Sequence, residues 1–219
     1  MRFKMKSKIK FLRIILVGII GVITSAYVPY QLTPTPKIKT NKNTIVFLGN
    51  SITQVGKWQE LIPNREVINK GISGDITTRV LARIENCLFA KPAKIFVMIG
   101  INDLKIGKAI DSITANQIRI IEKIKRLSPR TKIYMQSTLP VNESMLASIY
   151  KRLNNADIAK MNTALKLACK QKRVTYIDLQ PLMVDENEQL KSSLSTDGLH
   201  LKPEAYLNWV NYLKTNKFL

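Results

Sequence analysis

The amino-acid sequence predicts an α/β chain, specifically a three-layer α/β/α domain built on a five-stranded parallel sheet. Three observations lead there. Five short runs rich in β-branched and aromatic residues read as strands buried on both faces. Longer segments with apolar residues at helical spacing lie between them. Glycines and other turn residues punctuate the ends of the first three runs. Alternation of strand and helix favours parallel pairing through right-handed crossovers.

The elements follow in order from Thr44. Ile45-Val46-Phe47-Leu48 is an unbroken apolar strand ended by Gly49. A second strand fits residues 66–69 and is broken by Gly71-Ile72-Ser73-Gly74. Ile76, Val80, Leu81, Ile84, Cys87 and Leu88 recur at helical spacing, which predicts a helix over 76–89. Residues 94–99, the most apolar strand, end at Gly100. Asp111 is a suitable cap for a helix through Leu127, with Ile113, Ile118, Ile121 and Ile124 inward. Lys123, Lys125 and Arg126 stand near its C-terminus, where the helix dipole favours cations. Residues 132–137 form a fourth strand, and Asn154 or Asn155 caps a helix to 171 with Asp157 in its first turn. Residues 174–179 form the fifth strand. Pro203 opens a closing helix over 203–214.

Charge divides the chain. Of 219 residues, 35 are Lys or Arg and 15 Asp or Glu, a formal net charge of +20. Residues 1–43 hold nine of the bases and no acid, leaving 26 bases and 15 acids, a net of +11, for the rest. Six bases lie in residues 1–13, and residues 14–36 carry no charge. Residues 1–32 therefore read as a basic N-terminus plus a signal anchor or signal peptide, whose basic side stays in the cytoplasm. The strongly apolar part ends near Val28, short of the ~20 residues of a comfortable span, and Thr24-Ser25-Ala26 offers small residues for cleavage. The expectation is export, with the domain membrane-anchored outside the cytoplasm, or secreted or periplasmic if the segment is cleaved. Residues 33–43 read as a linker and 44–219 as the single folded domain.

Several function classes fall away. The surplus lysines spread over helices without an aromatic platform, which argues against nucleic acid as a partner. Cys87, Cys169 and His200 are too few for a four-ligand Cys/His zinc site, and a disulfide-dense scaffold is excluded. Both cysteines fall on apolar helix positions, the setting of buried free thiols.

Ligands of such folds bind at the carboxyl ends of the strands. Gly49-Asn50-Ser51-Ile52-Thr53 follows the first strand, Gly71-Ile72-Ser73-Gly74-Asp75 the second, and Gly100-Ile101-Asn102-Asp103 the third. Ser195-Thr196-Asp197-Gly198-Leu199-His200 precedes the last helix, with Asp197 and His200 three apart. Acyl transfer needs a hydroxyl nucleophile, a base, a carboxylate to orient that base, and donors for the oxyanion. One candidate for each is present. Taken singly, Ser51 would be an N-cap, Gly74 a turn residue and Asn102 a turn or cap residue. Asp75 and Asp103 are expected to serve local loop hydrogen bonds.

FLGNSIT, NKGISGD, IGIND and DGLHL together resemble the sequence blocks of the SGNH (GDSL-type) esterase/lipase superfamily, especially the branch similar to the catalytic subunits of platelet-activating-factor acetylhydrolase. The resemblance covers essentially all of 44–219 and implies a flavodoxin-like SGNH hydrolase fold. It implies Ser51 as nucleophile, His200 as base and Asp197 as its partner. It also implies an oxyanion hole from the Ser51 and Gly74 N–H groups and the Asn102 side chain. The chain departs from the family at Asn50, where Asp is usual; Asn is nearly isosteric and still accepts hydrogen bonds.

The function this implies is a serine esterase cleaving carboxylic esters, of acetyl or other short acyl groups, through an acyl-enzyme and with no metal or cofactor. The substrate is a small-molecule, glycan or lipid ester. Longer acyl chains, as for a lysophospholipase or thioesterase, are the alternative. From another class stands a non-catalytic phosphate- or flavin-binding module using residues 50–53, which leaves Asp197 and His200 without a role. Residues 105–111, 139–155 and 180–195 are the loops expected to set specificity, and 139–155 reads equally as an acyl-pocket wall or a connecting segment.

Overall fold

A computed structural model describes residues 43–219. The expected signal segment at 1–32, and the linker at 33–43 apart from Asn43, lie outside the described residues. No helix among the described residues is long and apolar enough to cross a membrane.

Five strands, β1 (Ile45–Gly49), β2 (Val67–Gly71), β3 (Lys94–Met98), β4 (Lys132–Gln136) and β5 (Thr175–Ile177), form one parallel sheet in the order β2-β1-β3-β4-β5. Among the described residues eight α-helices connect or follow them: α1 (Ser51–Val55), α2 (Trp58–Leu61), α3 (Thr77–Leu88), α4 (Ile101–Lys105), α5 (Ile110–Leu127), α6 (Asn155–Lys172), α7 (Gln180–Met183) and α8 (Pro203–Thr215). The alternation of side chains along a strand sorts the core into two layers. Val46, Leu48, Ile95, Val97 and Met135 pack with Val80 and Ile84 of α3, Ile120, Ile121 and Ile124 of α5, and Leu165 of α6. Ile45, Phe47, Phe96, Met98 and Tyr134 pack with Trp58 of α2 and Trp209, Val210 and Leu213 of α8. This is the three-layer α/β/α arrangement that the sequence predicts.

The second face carries an aromatic ladder set by strand register. Phe47 pairs with Phe96, and Phe96 with Tyr134, across β1, β3 and β4. Their rings stack with centroids 4.9 and 4.7 Å apart, and Trp58 lies on Phe47 at 4.0 Å. Trp209 meets Trp58 edge to face at 5.0 Å. Such pairs contribute about 0.5–1.5 kcal/mol each beyond the area they bury.

Several element details differ from the sequence reading. Asp111 is not the cap of α5; Ala109 holds that position and Asp111 lies in the first turn, where its charge suits the dipole. Ile118 is half-buried, because the inward stripe of α5 runs through Ile113, Gln117, Ile120, Ile121 and Ile124. Asn154 rather than Asn155 caps α6, accepting the Asp157 N–H at 2.8 Å. The second strand begins one residue later and ends two later than expected, while β3, β4 and β5 are shorter. The helices α2, α4 and α7 have four or five residues, too few for a 3.6-residue period to register. Cys87 and Cys169 are buried free thiols, as expected.

Candidate active site

The β1 to α1 connection is unusually tight. A side chain on Gly49 would meet Thr53 Oγ1 at 2.2 Å and the Met98 carbonyl at 2.5 Å; one on Gly71 would meet the Gln54 backbone nitrogen at 2.2 Å. These glycines let α1 sit directly on the ends of β1 and β2. Asn50, 1% exposed, caps α1 by accepting the Ile52 N–H on Oδ1 at 3.0 Å. Only an acceptor is used there, so the amide substitutes for the carboxylate usual in the resembled family. Ser51 follows as the first helical residue, a position whose N–H has no acceptor within a helix.

Five residues do not make a persistent helix alone. Tertiary bonds hold this one by its carbonyls. Tyr206 of α8 donates its hydroxyl to Ile52 O at 2.7 Å, and Trp58 donates its indole N–H to Thr53 O at 2.7 Å. The aromatic core thus reaches the serine through its polar tips.

The 195–201 turn brings the histidine. Asp197 Oδ1 accepts the N–H groups of Leu199 and His200 at 3.0 and 2.7 Å, closing an Asx turn. Ser195 Oγ accepts the Gly198 N–H and donates to His200 O, both at 2.9 Å. Gly198 has φ +84°, and a side chain there would strike Asn142 O at 2.6 Å. The residue 139–155 connection packs here: the Asn142 N–H bonds Gly198 O at 2.8 Å, with Leu139 and Val141 in the core. It therefore supports the histidine turn.

His200 Nδ1 lies 2.7 Å from Asp197 Oδ2, and Nε2 lies 3.1 Å from Ser51 Oγ. Burial pushes the Asp197 carboxyl up, but hydrogen bonds from the His200 ring and the two N–H groups outweigh it and hold it below its ordinary range. An ionised carboxylate only accepts, so the imidazole proton sits on Nδ1 and the Nε2 lone pair faces the serine hydroxyl. That arrangement lets a hydroxyl lose its proton as it attacks. Burial raises the Cys87 thiol and pushes Cys169 to about 12, so neither supplies a thiolate nucleophile.

Gly74 and Asn102 meet through Asp75. The Asn102 amide donates to Asp75 O at 2.9 Å, which leaves its second N–H for another acceptor. Gly74 has φ +77°, open space where a side chain would point, and no acceptor for its N–H among the described residues. Asp75 and Asp103 do not serve merely local loop bonds. Asp75 takes Arg83 Nε at 2.7 Å, and the fully buried Asp103 accepts the Thr77 N–H and hydroxyl at 2.9 and 2.7 Å, 26 residues away. Burial raises the Asp103 carboxyl despite those bonds. Thr77 opens α3 and Asp103 lies in α4, so the helices that follow β2 and β3 meet through this pair.

Sequence reasoning missed Arg83, Tyr206 and Gln54, whose Oε1 accepts the Ser73 N–H at 2.6 Å. Arg83 was readable: Val80, Arg83, Ile84 and Cys87 share one helical stripe, and a cation on a buried stripe demands partners. Among the described residues no cluster of three or more His, Cys, Asp or Glu is placed to hold a metal ion.

The family described as GDSL-like Lipase/Acylhydrolase matches residues 47–207, spanning every segment above. Platelet-activating factor acetylhydrolase IB subunit alpha2 of Rattus norvegicus is 27% identical over 175 residues, 77% of this chain and 73% of that one. N-acylneuraminate cytidylyltransferase of Streptococcus agalactiae is 30% identical over 138 residues, 63% of this chain; the match spans only 31% of that longer protein. A solved Streptococcus pneumonia protein described as a platelet activating factor superposes with a TM-score of 0.75 at 30% identity, covering 82% of this chain and 86% of that one. Fold, sequence blocks and family match agree, and the chain belongs to the GDSL-like lipase/acylhydrolase family of ester-bond hydrolases.

Proposed function

We propose that the chain is a serine esterase that removes acetyl or other short acyl groups from carboxylic esters. The observation that carries this reading is the hydrogen-bonded line from Ser51 Oγ through His200 to Asp197, at 3.1 and 2.7 Å. His200 Nε2 takes the Ser51 proton as Oγ bonds to the acyl carbon. The Ser51 and Gly74 N–H groups and the Asn102 amide hold the oxyanion. Collapse of the tetrahedral intermediate breaks the ester C–O bond, and His200 returns its proton to the leaving alkoxide. Water then repeats the sequence against the acyl-enzyme, releasing the acid and free Ser51. Asp197 stays ionised and orients the imidazole throughout.

The preference for short acyl groups rests on the similarity to proteins described as platelet-activating factor acetylhydrolase subunits. Export, with the domain outside the cytoplasm, belongs to the same proposal and rests on the basic and apolar pattern of residues 1–32. The test is a series of chromogenic esters of increasing acyl length, hydrolysed by the purified full chain and by its Ser51→Ala variant. Rates peaking at acetyl and absent in the variant are expected. Undiminished hydrolysis by the variant would sink the assignment, and a maximum at long chains would replace acetyl with a lipid acyl group.

A further inference from the structure

Arg83 is a charged residue on the inward stripe of α3, and all of its nitrogens are engaged. Nε and Nη2 both lie 2.7 Å from Asp75 Oδ2, Nη2 also reaches Lys70 O at 2.8 Å and Gly49 O at 3.3 Å, and Nη1 lies 3.3 Å from Cys87 Sγ. The two carbonyls are at the carboxyl ends of β1 and β2, the strands that precede Ser51 and Gly74. One guanidinium therefore ties the strand before Ser51, the strand before Gly74 and the residue after Gly74 into a single unit.

Asp75 is the node of that unit. Its carboxylate, 3% exposed with the rest of the residue, ends on Arg83, while its carbonyl oxygen holds the Asn102 amide. Gly74 stands one residue away, with no side chain and nothing within 4 Å of where a β-carbon would stand. Displacing Asp75 would turn both the Gly74 N–H and the Asn102 amide. The other ties on the turn, Ile72 N–H to Gly49 O, Ser73 N–H to Gln54 Oε1 and Asp75 N–H to Ile72 O, are neutral. The planar, forked guanidinium reaches a carboxylate and two carbonyls at once, which a lysine ammonium on a single point cannot reproduce.

Building on the serine esterase reading, we propose that Arg83 is a positioning residue. Acting through Asp75, it sets the aim of the Gly74 and Asn102 donors at the oxyanion and touches neither substrate nor reacting atoms. Its effect belongs to the transition state, where oxyanion charge develops, rather than to substrate binding.

The experiment uses the full chain and its Arg83→Lys, Arg83→Met, Asp75→Asn and R83M/D75N forms. Turnover of a short chromogenic ester, affinity for butylboronic acid, and hydrogen exchange across residues 71–76 are measured. The boronate forms a tetrahedral adduct on a serine hydroxyl and reports the oxyanion site without turnover. Misaligned donors should lower kcat by about 10- to 100-fold, with KM within about twofold. Boronate affinity should fall by the same factor, Arg83→Lys should be intermediate, and the double variant should be no worse than either single one. Faster exchange should be confined to 71–76, with α5 unchanged.

Variants that keep kcat and boronate affinity within about twofold of the parent, or single losses that multiply in the double variant, overturn the proposal. Should Arg83→Met fail to fold, Arg83→Lys decides on the same readouts. Failure of the underlying esterase reading is distinguishable: Ser51→Ala would then match the parent chain. In that case exchange of residues 71–76 in Arg83→Lys still decides whether Arg83 sets the loop, since unchanged exchange overturns it.

Discussion

Asn102 and Asp103 are neighbours with opposite duties. The Asn102 amide spends one N–H on Asp75 O and has a second to offer, which the proposed mechanism assigns to the oxyanion. Asn102→Ala should lower the rate of ester hydrolysis about 10²- to 10³-fold, as loss of one oxyanion donor does; steady-state kinetics would show the loss in kcat, and an unchanged kcat would remove Asn102 from the oxyanion site. Asp103 is wholly buried and faces Thr77, with its carboxyl raised by burial. Between the unfolded value, about pH 4, and its raised folded value, the group therefore binds more proton in the folded chain than in the unfolded one. The stability it lends is full below that pH and declines as pH rises through the raised value. In urea unfolding from pH 4 upward, the stability of the parent relative to Asp103→Asn should fall with pH, and parallel curves would contradict this. Asn50 shows how far residue type alone carries: the cap at Ser51 needs an acceptor, and an amide oxygen supplies it as a carboxylate would.

At the scale of elements, the five-residue α1 depends on its neighbours. Tyr206 is 5% exposed and donates to a carbonyl of α1, so Tyr206→Phe removes one buried hydrogen bond while conserving the ring. The expected cost is about 1–2 kcal/mol of stability. Since the lost bond lies one residue from Ser51, kcat should fall as well; thermal unfolding and kinetics of the one variant check both. Long elements were legible in the sequence because periodicity and caps act locally: α6 and α8 begin within a residue of their expected starts, and α5 two residues ahead of its expected one. The Asp197 and His200 pairing was legible for the same reason, being three residues apart. Strand order was not, since it depends on which edge each crossover joins. Nor were α2, α4 and α7, which exist because the core holds them. Arg83 lay between these cases. Its place on the stripe of Val80, Ile84 and Cys87 announced burial, but its partners come from three other segments.

For the molecule as a whole, the chain within the sheet leaves β1 toward β2 and leaves β3 toward β4 on the other side, and a parallel sheet opens a crevice at such a switch point between β1 and β3. Ser51, Gly74 and Asn102 follow β1, β2 and β3, so the topology itself brings their segments to one edge. Both cores and the Ser51, His200 and Asp197 line lie within the described residues. Deleting residues 1–42 should therefore leave kcat/KM for a soluble ester within about twofold, while on the proposed export reading fractionation of expressing cells should find the full chain anchored at the membrane or exported and the truncated chain retained in the cytoplasm. A large fall in kcat/KM would mean that the N-terminal segment contributes to the site. The chain also has one histidine in 219 residues, and it is the one that bridges Ser51 and Asp197. Its imidazole spectrum is consequently that of a single ring. The Nδ1 proton against Asp197 should stand alone at low field in a proton magnetic resonance spectrum of the intact protein. Acylation and inhibitor binding at Ser51, as the proposed mechanism requires them, could then be followed from the ring beside it without isotopic labelling or resonance assignment.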